Sequence, residues 1–197
     1  MTNEIEEIYD EKYYTKRNTK RWLEDGRSFS KVIDDKYNPG SVVDLGCGTG
    51  VHLKYFEDKN REIKGIDGSQ KAKENAVISQ KNFEVYDLRN TYEFDEKYDV
   101  AFCIEVLEHL EEEHADTILG TLANASDTLV VTAASPNQPG KHHVNLKPKT
   151  YWIEKFNVRG YKYRQDKTRE IIDDLDLKIT KWILKNLMVF EKRLKWK

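Results

Sequence analysis

The sequence predicts an α/β fold, a doubly wound and mostly parallel sheet flanked by helices. Two patterns lead to it. From Ser41 onward, short apolar runs alternate with polar stretches of helical length, and the C-terminal ends of those runs repeatedly carry glycine or an acid. Strand alternating with helix builds a parallel sheet covered on both faces, and such sheets bind ligands beyond the carboxyl ends of their strands. The 197 residues suit a single domain.

Residues 1–40 come first and differ from the rest. They are polar and Tyr-rich (Tyr9, Tyr13, Tyr14, Trp22, Phe29, Tyr37) and end at a Pro39-Gly40 turn signal. They read as helix without a centred apolar stripe, as expected of a helical cover lying over the domain of residues 41–197. Val42 to Leu45 is the first strand and runs straight into glycines. Glu62 to Asp67 is the second and Asn82 to Asp87 the third, each ending in an acid. Asp99 to Ile104 is the fourth, ending at Glu105, and Thr128 to Ala133 is the fifth. Segments 51–59, 69–80 and 111–125 have helical length and polarity. The tail from Lys178, with seven basic groups and one acid, reads as late strands with solvated basic flanks that complete the sheet.

Composition narrows the function. Charged residues are 35% of the chain, against about 25% in an average domain, and mean hydropathy is −0.80. No run approaches a membrane span and the N-terminus lacks a signal-peptide core, so the protein is expected in the cytoplasm. A net charge of −2 makes no electrostatic case for a nucleic-acid partner. Cys47 and Cys103, with no CxxC spacing, read as reduced thiols. Oligomeric state has no signal in the sequence.

Asp44-Leu-Gly46-Cys47-Gly48-Thr-Gly50 carries the strongest chemical signal. Glycines permit positive φ and a close approach of backbone to ligand. The spacing is G-x-G-x-G, which is not the dinucleotide-binding G-x-G-x-x-G, and the Lys-Ser/Thr of a P-loop is missing. Asp44 would repel a pyrophosphate and suits a cationic ligand group.

VVDLGCGTG followed by GIDGS resembles the class I S-adenosylmethionine-dependent methyltransferases, from about Val42 to Ala133 and more loosely to the C-terminus. The resemblance implies a Rossmann-like, seven-stranded sheet and the cofactor S-adenosylmethionine, with S-adenosylhomocysteine as product. It implies that the loop of Gly46, Cys47, Gly48 and Gly50 wraps the methionine part, that Asp67 binds the ribose hydroxyls, and that Asp87, with Leu88 beside it, binds the adenine amine. A carboxylate can indeed accept two hydrogen bonds from a vicinal diol. Tyr14, Asp44, His52, Gly68, Ser69, Ile104 and Glu105 complete the expected cofactor contacts, and residues 1–40 become a cofactor lid.

Glu105-Val-Leu-Glu108-His109 follows the fourth strand, and a loop running from Ser135 to His142, His143 and Asn145 follows the fifth. Both start at strand C-termini and can reach one pocket. Two versions of the chemistry stay open. In one, His109 or His143 acts as a general base on an acceptor hydroxyl. In the other, Glu105, Glu108, His109 and His143 bind Mg²⁺ or Mn²⁺ that orients vicinal substrate oxygens. E-x-x-E-H resembles the metal site of Hen1-type RNA 2′-O-methyltransferases and also occurs in ubiquinone-biosynthesis O-methyltransferases. A helix cap and hydrogen-bond network would account for Glu108 and His109 without either role. The stretch from His143 through Tyr151 and Trp152 to Tyr161 is similar to the acceptor region of small bacterial and phage methyltransferases of sugars and surface glycans. Tyr151 and Trp152 either stack on a sugar face or pack in the core. The expected acceptor is a saccharide or other small-metabolite hydroxyl. An RNA 2′-hydroxyl, or no acceptor at all in an inactive cofactor-binding partner subunit, are the alternatives.

Overall fold

In the computed structural model, which describes residues 2–193, one seven-stranded sheet organises the chain. Its strands are β1 (Ser41–Leu45), β2 (Glu62–Asp67), β3 (Phe83–Val85), β4 (Val100–Ile104), β5 (Thr128–Thr132), β6 (Tyr161–Tyr163) and β7 (Met188–Lys192). They lie in the order β3-β2-β1-β4-β5-β7-β6. The first five are parallel, and β7 runs antiparallel between β5 and β6. The helices are α1 (Thr2–Ile8), α2 (Glu11–Arg17), α3 (Lys20–Tyr37), α4 (Lys54–Asp58), α5 (Gln70–Glu74), α6 (Ala115–Ala125), α7 (Lys149–Val158), α8 (Gln165–Asp174) and α9 (Trp182–Asn186).

The central strands read as continuous apolar runs because both faces are covered. Val42, Phe102, Val130 and Val189 pack with Phe29 and Ile33 of α3, Phe56 of α4 and Ile171 of α8. Val43, Ala101, Leu129 and Phe190 face the other way, onto Leu119 and Leu122 of α6 and Trp152 and Phe156 of α7. At roughly 25 cal/mol per Å² of apolar area, these two layers are the main stabilising term. α3 ends at Asn38, which takes the left-handed conformation with φ of 43° before Pro39-Gly40, the turn expected there. Among the described residues no helix is long and apolar enough to cross a membrane.

Several expectations need correction. The stretch 69–80 holds only the short α5, because the chain turns to place Ile78 under the glycine loop, where a Cβ on Gly50 would strike it. The stretch 111–125 opens with a 3₁₀ turn over Glu112–His114 before α6. Among the described residues the tail contributes one strand, β7, not several, and residues 182–186 form α9. The other late strand, β6, comes from Tyr161–Tyr163. The tail beyond residue 193 lies outside the described residues. Trp152 is buried in the core and so packs there, and the half-buried Tyr151 packs beside it with its hydroxyl donated to Glu112 Oε1 at 3.1 Å.

One carboxylate holds α3 to the segment that leads into α9. Asp25, buried, accepts the backbone N–H groups of Lys178 (2.7 Å), Ile179 (2.9 Å) and Thr180 (2.8 Å), and the Thr180 hydroxyl (2.9 Å). Burial opposes its ionisation, but the bonds from Lys178, Thr180 and Ile179 outweigh that and hold its carboxyl below the ordinary aspartate range. The sign follows for stability. The contribution is complete above the unfolded pKa of about 4 and is lost as pH falls through the lower folded value. Asp25→Ala is expected to reduce unfolding free energy by about 3 kcal/mol in urea titrations near pH 7, and by progressively less below pH 4. An Asp25→Ala protein as stable as wild type at pH 7 would contradict this role.

Candidate active site

A cavity of about 390 Å³ opens at the C-terminal ends of β1, β2 and β4, where the strand order reverses. Its floor is the glycine loop. Gly46 has a φ of +77°, and a Cβ there would lie 2.3 Å from Val106 Cγ2, so no larger residue fits. The N–H groups of Gly46 and Cys47 donate to the Ile66 carbonyl at 2.7 and 3.1 Å, which fixes the loop on β2. Gly48 N–H donates to Asp67 Oδ2 at 2.8 Å and Ser69 N–H to Oδ1 at 3.0 Å. The Asp67 carboxylate is thereby oriented by backbone on both sides. Burial nevertheless pushes its pKa up to about 6, against those two bonds and with Glu6 adding to the rise.

Tyr14, Gly46, Cys47, Gly48, His52, Asp67, Gly68, Asp87, Leu88, Ile104 and Glu105 all line this cavity. Asp44, Gly50 and Ser69 lie behind its wall. Ser69 caps α5 through Ala72 N–H and donates its hydroxyl to Glu6 of α1 at 2.9 Å. Gly50 turns the loop at a φ of +82°. Asp44 is buried beneath the loop with no hydrogen-bond partner on either oxygen. Burial, then Asp67, raise its pKa to about 7. The nearest basic group, His52 Nδ1 at 3.9 Å, is kept neutral by burial, so a carboxylate without hydrogen bonds under the glycine loop fits a ligand that brings positive charge. Asp87 is held by Arg89, whose Nε and Nη2 lie 3.0 and 2.9 Å from its two oxygens. Burial opposes this, but Arg89 keeps the Asp87 carboxyl below its ordinary range.

The second half of the site begins at Glu105. Its φ of +56° turns the chain sharply out of β4, and its N–H donates to Thr132 Oγ1 at 2.7 Å. A 3₁₀ turn over Leu107–His109 follows. The Glu108 carbonyl accepts the N–H groups of Val144 and Asn145 at 2.9 and 3.1 Å, binding the loop after β5 to this turn. As a result His109 and His143 meet, with ring centroids 5.0 Å apart. His109 Nδ1 lies 3.0 Å from the His142 carbonyl, and His143 Nδ1 lies 3.0 Å from the Gln138 carbonyl. A carbonyl can only accept, so these bonds put the proton on Nδ1 and leave Nε2 with its lone pair in both rings. Burial pushes the His109 pKa down to about 4.

Glu108, His109 and His143 offer ligand atoms within 4.8 Å of one another. Glu108 is fully buried with neither carboxylate oxygen hydrogen-bonded, and burial followed by Glu105 raises its pKa to about 8. Glu105 stands outside this set. Its carboxylate accepts from Asn186 Nδ2 at 3.0 Å and Gln138 Nε2 at 3.4 Å.

Some lining residues are not among the expected cofactor contacts, although Tyr13 and Trp22 fall within the expected lid of residues 1–40. Tyr9, Tyr13, Arg17 and Trp22 cover the cavity from the N-terminal helices, and Lys141, Trp182 and Ile183 from the C-terminal half. Tyr9 Oη lies 2.9 Å from the same His109 Nδ1, whose N–H it shares, as a second acceptor, with the His142 carbonyl. The i, i+4 spacing of Tyr13 and Arg17 carried a signal for one helix face; Trp182 and Asn186 arrive only through tertiary packing.

A family model described as a methyltransferase domain matches residues 12–180. The chain belongs to this methyltransferase family. Its fold is that of class I S-adenosylmethionine-dependent methyltransferases. Over 153 residues it is 25% identical to a magnesium-protoporphyrin O-methyltransferase of Synechocystis, covering 73% of this chain and 65% of that protein. Over 87 residues it is 32% identical to a ubiquinone biosynthesis O-methyltransferase of Rickettsia bellii, covering 40% of this chain and 36% of the relative. The chain thus spans less than two-thirds of the length of these relatives. Among solved structures, the sugar N-methyltransferase KedS8 of Streptoalloteichus superimposes with a TM-score of 0.69 at 12% identity, over 93% of this chain and 92% of that one. The methyltransferase domain of bacterial CtHen1 does so at 0.61 and 22%, over 87% and 100%. The plantazolicin methyltransferase BpumL, solved with S-adenosylhomocysteine, gives 0.62 and 16%, over 98% and 100%. At these identities the structural likeness concerns the fold.

Two outcomes follow from this geometry. S-adenosylhomocysteine affinity, measured by calorimetry, is expected to fall as pH drops through about 6, because a protonated Asp67 loses acceptor capacity toward a diol; Asp67→Ala should weaken binding about tenfold or more at pH 7.5 and flatten the profile. A Cβ on Gly140 would lie 2.0 Å from His143 Nε2. Gly140→Ala should therefore displace that imidazole and move its ring-proton resonances at fixed pH, while S-adenosylhomocysteine binding stays within about twofold of wild type.

Proposed function

We propose that the protein is an S-adenosylmethionine-dependent methyltransferase acting on a hydroxyl of a small molecule, with a divalent ion assisting. The observation that carries this reading is the pairing, in one cavity, of the Asp67-anchored glycine loop with two imidazoles whose Nε2 lone pairs are free beside an unpartnered buried carboxylate. The relatives' activities, O-methylation of magnesium protoporphyrin and in ubiquinone biosynthesis, support a small acceptor, as does the net charge of −2, which gives a polyanion little attraction.

The cofactor fits the residues present. When bound, S-adenosylmethionine supplies a methyl group already activated on a sulfonium. Asp67 would accept from its ribose hydroxyls, the backbone of Gly46 to Gly48 would border its amino-acid part, and Asp87 with Leu88 would border the adenine. Residues 1–40 act as a lid in this reading. Glu6 joins α1 to Ser69 and Lys71 beside Asp67, and Tyr9 joins it to His109, so the cover excludes water from both ends of the cavity.

Transfer forms the bond from acceptor oxygen to methyl carbon as the bond from sulfur to that carbon breaks, and the hydroxyl proton must leave. The chain offers Nε2 of His109 or His143 as its destination. Where Glu108, His109 and His143 instead hold a divalent ion, those Nε2 lone pairs would ligate it and the hydroxyl proton would leave to water; a carboxylate with two imidazoles suits Mn²⁺ better than Mg²⁺. Such an ion supplies Lewis-acid polarisation of the acceptor hydroxyl. The carbonyl bonds at Nδ1 are the kind of support that orients metal-ligating histidine.

The tests separate these parts. S-adenosylhomocysteine should bind in the micromolar range, and no detectable binding would end the reading. With labelled cofactor and cell extracts as acceptor source, His109→Ala and His143→Ala should each lower transfer by about 10² or more. Chelator should abolish transfer and Mn²⁺ restore it; transfer indifferent to chelator leaves the histidines as bases without a metal.

A further inference from the structure

The mouth of the cavity carries an aromatic pair that the cofactor contacts do not use. Trp22, near the start of α3, and Trp182, the first residue of α9, both line the cavity with ring centroids 6.0 Å apart and planes tilted by 59°. Trp182 keeps 37% of its surface exposed. Two constraints put this pair at the reacting end. The Asp25 bonds join α3 to the 178–180 segment, and Asn186, the last residue of α9, donates to Glu105 at the end of β4. α9 is therefore within one side chain of the place where the acceptor must meet the methyl group, and away from Asp87 at the adenine end.

Three polar groups on this side, Thr180, Gln138 and Asn186, are already engaged. The Thr180 hydroxyl is given to Asp25. Gln138 bonds Glu105 through its amide N–H and accepts from Asn186. A saccharide needs several convergent donors and acceptors beside its stacking face, and these are committed. Arg17 remains available. Its guanidinium carbon lies 3.3 Å from the Tyr13 ring centre and 5.0 Å from that of Trp22. One of its N–H groups donates to the Tyr13 carbonyl at 3.2 Å, and among the described residues it has no ion pair. A guanidinium packed near two aromatic rings, inside a cavity and without a counter-ion among the described residues, is a receptor for a carboxylate.

We propose that the acceptor is an aromatic hydroxy acid, its ring resting on the Trp22–Trp182 pair and its carboxylate meeting Arg17. This rests on the methyltransferase reading and narrows the acceptor within it. Flat rings gain from offset or edge contacts with indole beyond the area they bury, and an acid meeting Arg17 turns the ring's hydroxyl edge toward His109 and His143. In the transfer, the aryl hydroxyl loses its proton, its oxygen gains the methyl group, and S-adenosylhomocysteine leaves.

The test uses the protein saturated with S-adenosylhomocysteine, titrated by calorimetry with hydroxybenzoates and hydroxycinnamates, with catechol as the neutral ring and methyl glucopyranoside as the saccharide. At least one aryl acid is expected to bind, more tightly than catechol, with no binding of the glucoside. Trp182→Ala should weaken both aryl ligands about tenfold, and Arg17→Gln should weaken the acid about tenfold while leaving catechol unchanged. Circular dichroism and thermal transitions check that both variants fold. Binding of the glucoside in preference to every aryl acid, or indifference of aryl binding to Trp182→Ala, overturns the proposal. If Arg17→Gln weakens S-adenosylhomocysteine and spares the aryl acid, the carboxylate at Arg17 is the cofactor's and the acidic half of the proposal falls. Failure of S-adenosylhomocysteine itself to bind wild-type protein is a different result and removes the methyltransferase reading.

Discussion

The crevice between β1 and β4 is the constraint on which the site depends. The chain winds outward from β1 through β2 to β3, then returns to add β4 and β5 on the other side. The connections leaving β1 and β4 therefore diverge to opposite faces, and nothing from the sheet fills the gap above their carboxyl ends. Glycines at Gly46, Gly48 and Gly50 keep the floor of that gap low, and the turn at Glu105 moves the chain aside before it can cover the opening.

A crevice in a buried sheet desolvates whatever it holds. Asp44, Asp67 and Glu108 are all pushed above the ordinary carboxylate range by burial, and His109 is pushed down. Ionic groups kept in such positions cost stability unless a partner compensates. Asp67 is compensated in part by the amides of Gly48 and Ser69. Asp44 and Glu108 have no hydrogen-bonded partner among the described residues, so no protein donor offsets the desolvation of either carboxylate. Asp25, equally buried, shows the structural contrast, since four donors satisfy its carboxylate and it sits below its ordinary range.

The cover is tied to both halves of the site. Glu6 reaches the cap of α5 beside Asp67, and Tyr9 reaches His109, so α1 and α2 bridge the glycine loop and the histidine pair. Arg17 and Trp22 extend the same cover toward α9, where Trp182 completes the mouth. The cover of the cavity and the arrangement of His109 are thereby linked through two short helices.

The sequence by itself determined the parallel core, the glycine loop and the acids at the strand ends, because these are local: apolar runs of strand length, positive-φ turns and the residue that follows a strand are set within a few positions. It also placed Glu108, His109 and His143 near one pocket, since both loops leave adjacent strands. Only the tertiary structure decided that Glu105 is held by Asn186 and Gln138, that Trp152 belongs to the core, and that Trp22 and Trp182, 160 positions apart in the numbering, meet at the mouth. Those contacts depend on how β7 and α9 fold back against β5, and a one-dimensional pattern of polarity carries no record of which distant segments a sheet brings together.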